Sequence, residues 1–237
     1  SFDHGQGVWL WDKEGHKYLD ALAGIAVNSV GHAHPRLVRA IADQASKLIH
    51  CSNYFNIDLQ EQVAEKLVEH SGLEAVFFCN SGLEANECAI KIARKFGHAK
   101  GIEVPNIIVL KHAFHGRSIA TLSATGNPSV RADFSPYTEG FIFVDESDLD
   151  GIRKIVEENK NVVAIFFEPI LGEGGVVPID LSVIKGIREI CDEHDLLMMC
   201  DEVQCGMGRS GKWFAHQWAE IKPDVITMAK GLAGGVP

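Results

Sequence analysis

Two ionisable side chains, Asp201 and Lys230, stand 29 positions apart, each just after a short and mostly apolar run. Leu196-Leu197-Met198-Met199-Cys200 leads into Asp201, and Val225-Ile226-Thr227-Met228-Ala229 leads into Lys230. Runs of this kind predict two buried strands, each delivering one ionisable residue at its carboxyl end, where open α/β sheets bind ligands. An amine at such an edge can condense with an aldehyde. A carboxylate there can keep a ring nitrogen protonated, so that the ring draws in electrons. Together these abilities suit pyridoxal 5'-phosphate.

Other stretches carry chemistry beside a plainer structural reading. Ala75-Val76-Phe77-Phe78-Cys79 reads as a buried strand running into Asn80-Ser81-Gly82-Leu83-Glu84, then a helix with Ala85, Ala89, Ile92 and Phe96 inward. A strand, a Ser-Gly turn and a helix start turn backbone N–H groups and the positive helix end toward an anion. A capping turn without a ligand has the same pattern. The expected strand Asn106–Leu110 ends in Lys111-His112-Ala113-Phe114-His115-Gly116-Arg117. A flat ring needs an aromatic face such as Phe114, and a carboxylate substrate needs the planar fork of an arginine such as Arg117. Core packing for Phe114 and a surface ion pair for Arg117 are the plainer alternatives. Residues 206–212 spell G-x-x-x-x-G-K, but Trp213 stands where a phosphate-cradling loop needs Ser or Thr, and no strand opens directly into the loop. His32 and His34 invite a metal reading that lacks a third ligand nearby, so no metal site is expected.

The ordered motifs Asp201-Glu202-Val203-Gln204, Met228-Ala229-Lys230-Gly231-Leu232-Ala233-Gly234-Gly235, Ser81-Gly82 and Glu168-Pro169-Ile170-Leu171-Gly172-Glu173-Gly174-Gly175 resemble the class-III pyridoxal-phosphate aminotransferases. Within that class the resemblance is to the members that use acetylornithine and ornithine. It implies that Lys230 holds the cofactor and then carries the proton, that Asp201 protonates the ring nitrogen, and that Gln204 bonds the ring hydroxyl. Glu202 and Val203 belong to the same cofactor-binding motif. Ser81, Gly82 and Leu83 would hold the phosphate, although Leu83 replaces the Thr common in this subfamily. Phe114 would cover the ring, with His115 in its neighbourhood, and Arg117 would clamp the substrate α-carboxylate. Glu168 would lie near the cofactor's polar edge. Glu173 would pair with an arginine from a later region, and Leu171 stands where the family usually has Gln. Asn53, Tyr54 and Phe55 are candidate walls of the substrate entrance, or else a packed aromatic pair.

The resemblance further implies an amino donor such as N-acetylornithine or a similar ω-amino acid, the acceptor 2-oxoglutarate, and a place in arginine biosynthesis. It implies a homodimer with shared active sites, and further strands and a smaller C-terminal domain beyond Pro237. An aminomutase or racemase would share Lys230 and Asp201 without needing the acceptor, and a nucleotide-binding module would rest on residues 206–212 alone.

Positioning such residues takes a sheet with helices on its faces. Strands are expected at Asn106–Leu110, Phe141–Val144 and Val162–Phe167, the last a run of six apolar residues. Helices are expected from Pro35 to about Leu48, from Asp58 to His70 with Leu59, Val63 and Leu67 on one face, behind a Ser147 cap, and from Ser182 to His194. Residues 7–20 read as a hairpin. Strand–helix alternation predicts an α/β fold with a mostly parallel sheet flanked by helices. Residues 1–50 would belong to a smaller domain, and residues 51–237 to a large cofactor-binding domain incomplete at its C-terminus. The 237 residues carry a net charge of −10, which argues against nucleic-acid or anionic-membrane partners. No apolar run approaches the roughly 18 residues of a membrane span. Six cysteines without metal or C-x-x-C spacing favour a reduced, cytoplasmic setting. The chain opens on Ser1 rather than Met, which leaves open a removed targeting peptide.

Overall fold

The computed structural model describes residues 1–236; Pro237, the last residue of the expected large domain, lies outside them. The chain divides into two units, residues 1–76 with 230–236, and residues 77–229.

The first unit opens with β1 (Phe2–Gln6), β2 (Trp9–Asp12) and β3 (Lys17–Leu19), an antiparallel sheet in sequence order. The expected hairpin is β2–β3. Its turn closes because the Asp12 carboxylate accepts the backbone N–H groups of Glu14 and His16. A short α1 (Ala23–Ala26) contains left-handed residues. Then α2 (Pro35–Ala45) starts at its proline and stops short of Leu48, and α3 (Asp58–Ser71) is ended by Gly72 at φ 70°. Of the expected apolar face on α3, Leu67 is buried while Leu59 and Val63 are exposed. His32 Nε2 meets Asp20 Oδ2 at 2.6 Å. Tyr54 and Phe55 are exposed, which overturns the packed aromatic pair. Residues 230–232 form a 3₁₀ turn.

The second unit holds α4 (Gly82–Ala99), β4 (Asn106–Leu110), α5 (Ile119–Ala124), α6 (Pro128–Arg131), β5 (Phe141–Val144) and α7 (Leu149–Glu158). It continues with β6 (Val162–Phe167), the small hairpin of β7 (Ile170–Leu171) and β8 (Val177–Pro178), α8 (Leu181–His194), β9 (Leu197–Asp201) and β10 (Val225–Thr227). The five main strands pair in parallel in the order β10-β9-β6-β4-β5, so all their carboxyl ends share one edge. Strand periodicity splits the core between two faces. Ile165, Phe167, Met198 and Cys200 pack with α7 and α8 through Ile152, Ile184 and Ile187. Ala164, Phe166 and Met199 pack with Ala89, Ile90 and Ala93 of α4. All six residues of β6 are buried, as a central parallel strand requires.

Three further expectations need correction. Residues 75–79 form no strand, and Phe77 is exposed. A strand is defined by its ladder, and no described residue pairs with this segment. The inward face of α4 is Asn86, Ala89, Ile90, Ala93 and Gly97, one position away from the expected face, and Ile92 is exposed. The shift follows from two contacts. Asn86 is drawn inward by polar partners, and Gly97 lets the helix approach so closely that an added Cβ would lie 2.8 Å from Val163 Cγ1. Helix α7 is capped by Asp148, which accepts from Gly151 N, rather than by Ser147.

Candidate active site

The carboxyl edge of the parallel sheet gathers four segments: the end of β9, the end of β6, the loop after β4 and the start of α4. At their centre stands Asp201, only 3% exposed. Its Oδ2 accepts from Asn86 Nδ2 at 2.7 Å and lies 2.8 Å from His115 Nδ1. A carboxylate only accepts, so Nδ1 carries the hydrogen of that second bond. Oδ1 accepts from Val203 N at 3.0 Å. A carboxylate offers about four lone-pair positions. Three are filled, and the fourth, on Oδ1, has no donor among the described residues. His115 is held by its own neighbours. Its ring stacks on Phe166 with centroids 4.1 Å apart, and its backbone N–H donates to Thr125 Oγ1 at 3.0 Å.

Glu168 follows β6 as Asp201 closes β9, and the pairing of Phe167 with Cys200 makes the two acids lateral neighbours. Its Oε1 accepts from Phe114 N at 2.7 Å and its Oε2 from Gly172 N at 3.0 Å. Burial first, and then the negative charge of Asp201, push its carboxyl up to about 7; His115 and the two N–H donors oppose them.

At the start of α4, Ser81 caps the helix by accepting from Glu84 N at 3.2 Å. Gly82 leaves no room for a side chain, since an added Cβ would sit 2.6 Å from Val203 Cγ1. A Cβ on Gly116 would lie 3.4 Å from Leu83 Cγ, so Leu83 packs against the loop that carries His115. The Gln204 amide group lies against Gly172. The Arg117 guanidinium is exposed and lies 5.7 Å from the centre of the half-buried Phe114 ring. Glu173 is exposed in the turn between β7 and β8.

Glu202 was expected among the cofactor contacts, but its carboxylate is consumed elsewhere. It accepts from Ala215 N and His216 N at 2.8 Å each, pairs with His216 Nδ1 at 2.9 Å, and takes the Cys205 thiol. It therefore pins the segment that follows β9. Residues 206–212 form a run of turns between that anchor and residues 215–219, with no helix opening from them. Lys212 Nζ donates to Gln217 O at 2.9 Å and lies over Trp218, so the phosphate-loop pattern has no phosphate-loop geometry.

Lys230 opens the 3₁₀ turn of the first unit with φ +46°, a left-handed conformation that costs a non-glycine residue about 1–2 kcal/mol. Along the chain it follows by three residues Thr227, the cross-strand partner of Asp201. Strain of this kind gathers at functional positions. Among the described residues no cluster of three His, Cys, Asp or Glu could hold a metal. Among the described residues no helix is long and apolar enough to cross a membrane.

Sequence reasoning missed Asn86 and Thr125. The signal for Asn86 was available: one amide in a helical stripe otherwise made of alanine, isoleucine and glycine.

A family model described as aminotransferase class-III matches residues 1–237. An acetylornithine aminotransferase of Nitrosomonas europaea is 54% identical over 237 residues, covering 100% of this chain and 60% of the relative. One of Synechocystis is 51% identical over 239 residues, covering 98% of this chain and 56% of the relative. The chain thus spans about 60% of the length of the curated relatives it matches. Among solved structures, an ornithine aminotransferase of Toxoplasma gondii, with PLP at partial occupancy in its active site, superposes with a TM-score of 0.94 at 34% identity. That match covers 100% of this chain and 57% of the other. The N-acetylornithine aminotransferase of Stenotrophomonas maltophilia gives 0.86 at 40% identity, covering 100% and 59%.

Proposed function

The chain belongs to the class-III aminotransferases, and from that premise we propose that its protein transfers the terminal amino group of N-acetylornithine, or a similar ω-amino acid, to 2-oxoglutarate with pyridoxal 5'-phosphate, in arginine biosynthesis. The relatives that share about half of its residues are acetylornithine aminotransferases. The observation that carries the reading is Asp201, a buried acid whose last lone pair faces no protein donor among the described residues.

That observation is also the test of fit for the cofactor. A ring nitrogen carrying a proton supplies the missing donor, and a glycine-lined helix start one segment away suits a phosphate. When bound, pyridoxal phosphate supplies an aldehyde for amines and an electron-withdrawing ring. Within this proposal Asp201 holds the proton on the ring nitrogen, and His115 and Asn86 keep Asp201 oriented. Backbone N–H groups of Gly82 and Leu83, with the Ser81 cap, bind the phosphate. Loss of a threonine hydroxyl at Leu83 leaves those backbone groups intact. Val203 and Phe114 confine the ring, Gln204 bonds its hydroxyl, and Glu168 faces its polar edge. Lys230 would hold the cofactor through Nζ, and its amine would move the proton at the substrate carbon. Arg117 orients the α-carboxylate, and Glu173 pairs with an arginine from a later region.

We propose further that the protein is a cytoplasmic homodimer with shared active sites, and that residues 1–50 belong to a smaller domain and 51–237 to the large one. Exposed apolar residues such as Ile49 and Phe77 support a covered surface. The experiment is a donor panel on the full-length protein with glutamate formation as readout. Turnover of N-acetylornithine that requires 2-oxoglutarate is expected. Conversion without the acceptor would favour an aminomutase or racemase and overturn the transaminase reading.

A further inference from the structure

The inward stripe of α4 reads Asn86, Ala89, Ile90, Ala93, Gly97. Four of these serve close packing on the sheet, and Asn86 does not. It is 2% exposed, and its two amide hydrogens are divided between Asp201 Oδ2 at 2.7 Å and the His115 carbonyl at 2.8 Å. Its own Oδ1 is buried without a partner among the described residues. A fold that selects only for stability would place an apolar residue here, since a buried unmatched acceptor is a cost. Its two hydrogens satisfy the His115 carbonyl and the Asp201 carboxylate, which an apolar residue would leave without those donors.

We propose that Asn86 is a positioning residue for Asp201: from the helix whose start would take the cofactor phosphate, it holds the acid's Oδ2 and so keeps the shared proton on the ring nitrogen. This rests on the cofactor reading above. The physical chain is short. Each donor to a buried carboxylate favours its ionised form. Oδ2 has two donors, Asn86 and His115. With one removed, the carboxylate becomes the better base, and the proton it shares with a ring nitrogen moves toward Asp201. The ring then loses positive charge. Asn86 also lies five positions beyond the Ser81 cap on one rigid helix, so a single element fixes the distance between the phosphate turn and the acid.

The other groups facing Asp201 do not substitute for this donor. His115, from the loop after β4, already spends its Nδ1 hydrogen on the same oxygen. Glu168, from the end of β6, spends its two oxygens on Phe114 N and Gly172 N and offers Asp201 no donor. Glu202 is engaged with His216, and burial raises the Cys205 thiol far enough that it stays neutral. Thr227, across from Asp201 on β10, carries no charge.

The test uses the full-length enzyme loaded with pyridoxal phosphate labelled with ¹⁵N in the ring, and follows the ring-nitrogen shift with pH. Three proteins are compared: wild type, Asn86→Leu, which keeps the volume, and Asn86→Ser, which is small enough to be accommodated if the leucine variant does not fold. The ³¹P signal reports whether the phosphate is still held. The wild-type ring nitrogen should carry its proton at neutral pH, and in the variants its ¹⁵N shift at the same pH should move toward that of an unprotonated ring nitrogen with the phosphate retained. A merely structural role would lower thermal stability and leave the ¹⁵N shift in place, and that result overturns the proposal. A wild type that binds no labelled cofactor would instead overturn the cofactor reading, and this inference with it.

Discussion

Asp201→Asn removes one negative charge from a point where three donors converge. An amide has one oxygen and one NH₂ group. If the oxygen keeps Asn86 and His115, the new NH₂ faces Val203 N–H, donor against donor; turned the other way, it faces two donors. Two charge-assisted bonds of about 1.5–3 kcal/mol become neutral ones of about 0.5–1.5, and at least one buried donor is stranded at about 1–3 kcal/mol. Relief of the repulsion with Glu168 returns part of this. The expected net loss of stability is about 2 kcal/mol near neutral pH, several degrees in Tm. Catalytically the effect is larger. A neutral amide cannot hold the ring proton, and losing an interaction of about 3 kcal/mol in the transition state corresponds to about 100-fold in kcat. Cofactor should still bind through the phosphate turn, so its absorbance is retained while turnover collapses. The assay pairs glutamate formation with the bound-cofactor spectrum in the full-length enzyme. Turnover close to wild type, with cofactor bound, would make Asp201 structural and refute the reasoning.

Arg117→Lys keeps the charge but loses the planar fork, so KM for donor and acceptor should rise by about 2 kcal/mol of binding, roughly 30-fold, and unchanged values would leave Arg117 a surface group stacked on Phe114. Glu168 has a folded-state pKa raised from 4.5 to about 7, so the folded state binds the proton more tightly and stability falls as pH rises from about 4.5 through about 7. Glu168→Gln removes that slope, which denaturation of cofactor-free protein across pH 4.5–7.5 would reveal; parallel profiles for the two proteins would contradict the assignment. Glu202→Gln should destabilise by about 3 kcal/mol with little change in KM, because it breaks the paired anchor of residues 215–219 rather than a ligand contact. Equal stability by denaturant titration would remove that role.

The parts of the fold legible in the sequence were those that local periodicity determines. Val162–Phe167 was readable because six apolar residues bounded by Glu168-Pro169 fit little other than a central strand, and it lies fully buried. The acid at the end of β9 was readable for the same reason. What depended on partners was not. Residues 75–79 have the composition of a strand but no ladder, and composition carries no information about the neighbour that would supply one. The inward face of α4 was misplaced because apolar residues were counted and a buried amide was not, although Asn86 is turned inward by contacts 29 and 115 residues distant. Glu202 and Asp201 are adjacent in a motif, yet they serve different neighbours. Only the three-dimensional placement of His216 reveals that Glu202 anchors a loop.

The most direct measurement is borohydride reduction of the full-length protein with pyridoxal phosphate bound, followed by mass analysis of its peptides. The account predicts the cofactor's added mass on the peptide containing Lys230, the left-handed residue three positions beyond Thr227, and no such adduct in Lys230→Ala. An adduct on another lysine, or one that persists in the alanine variant, would contradict it.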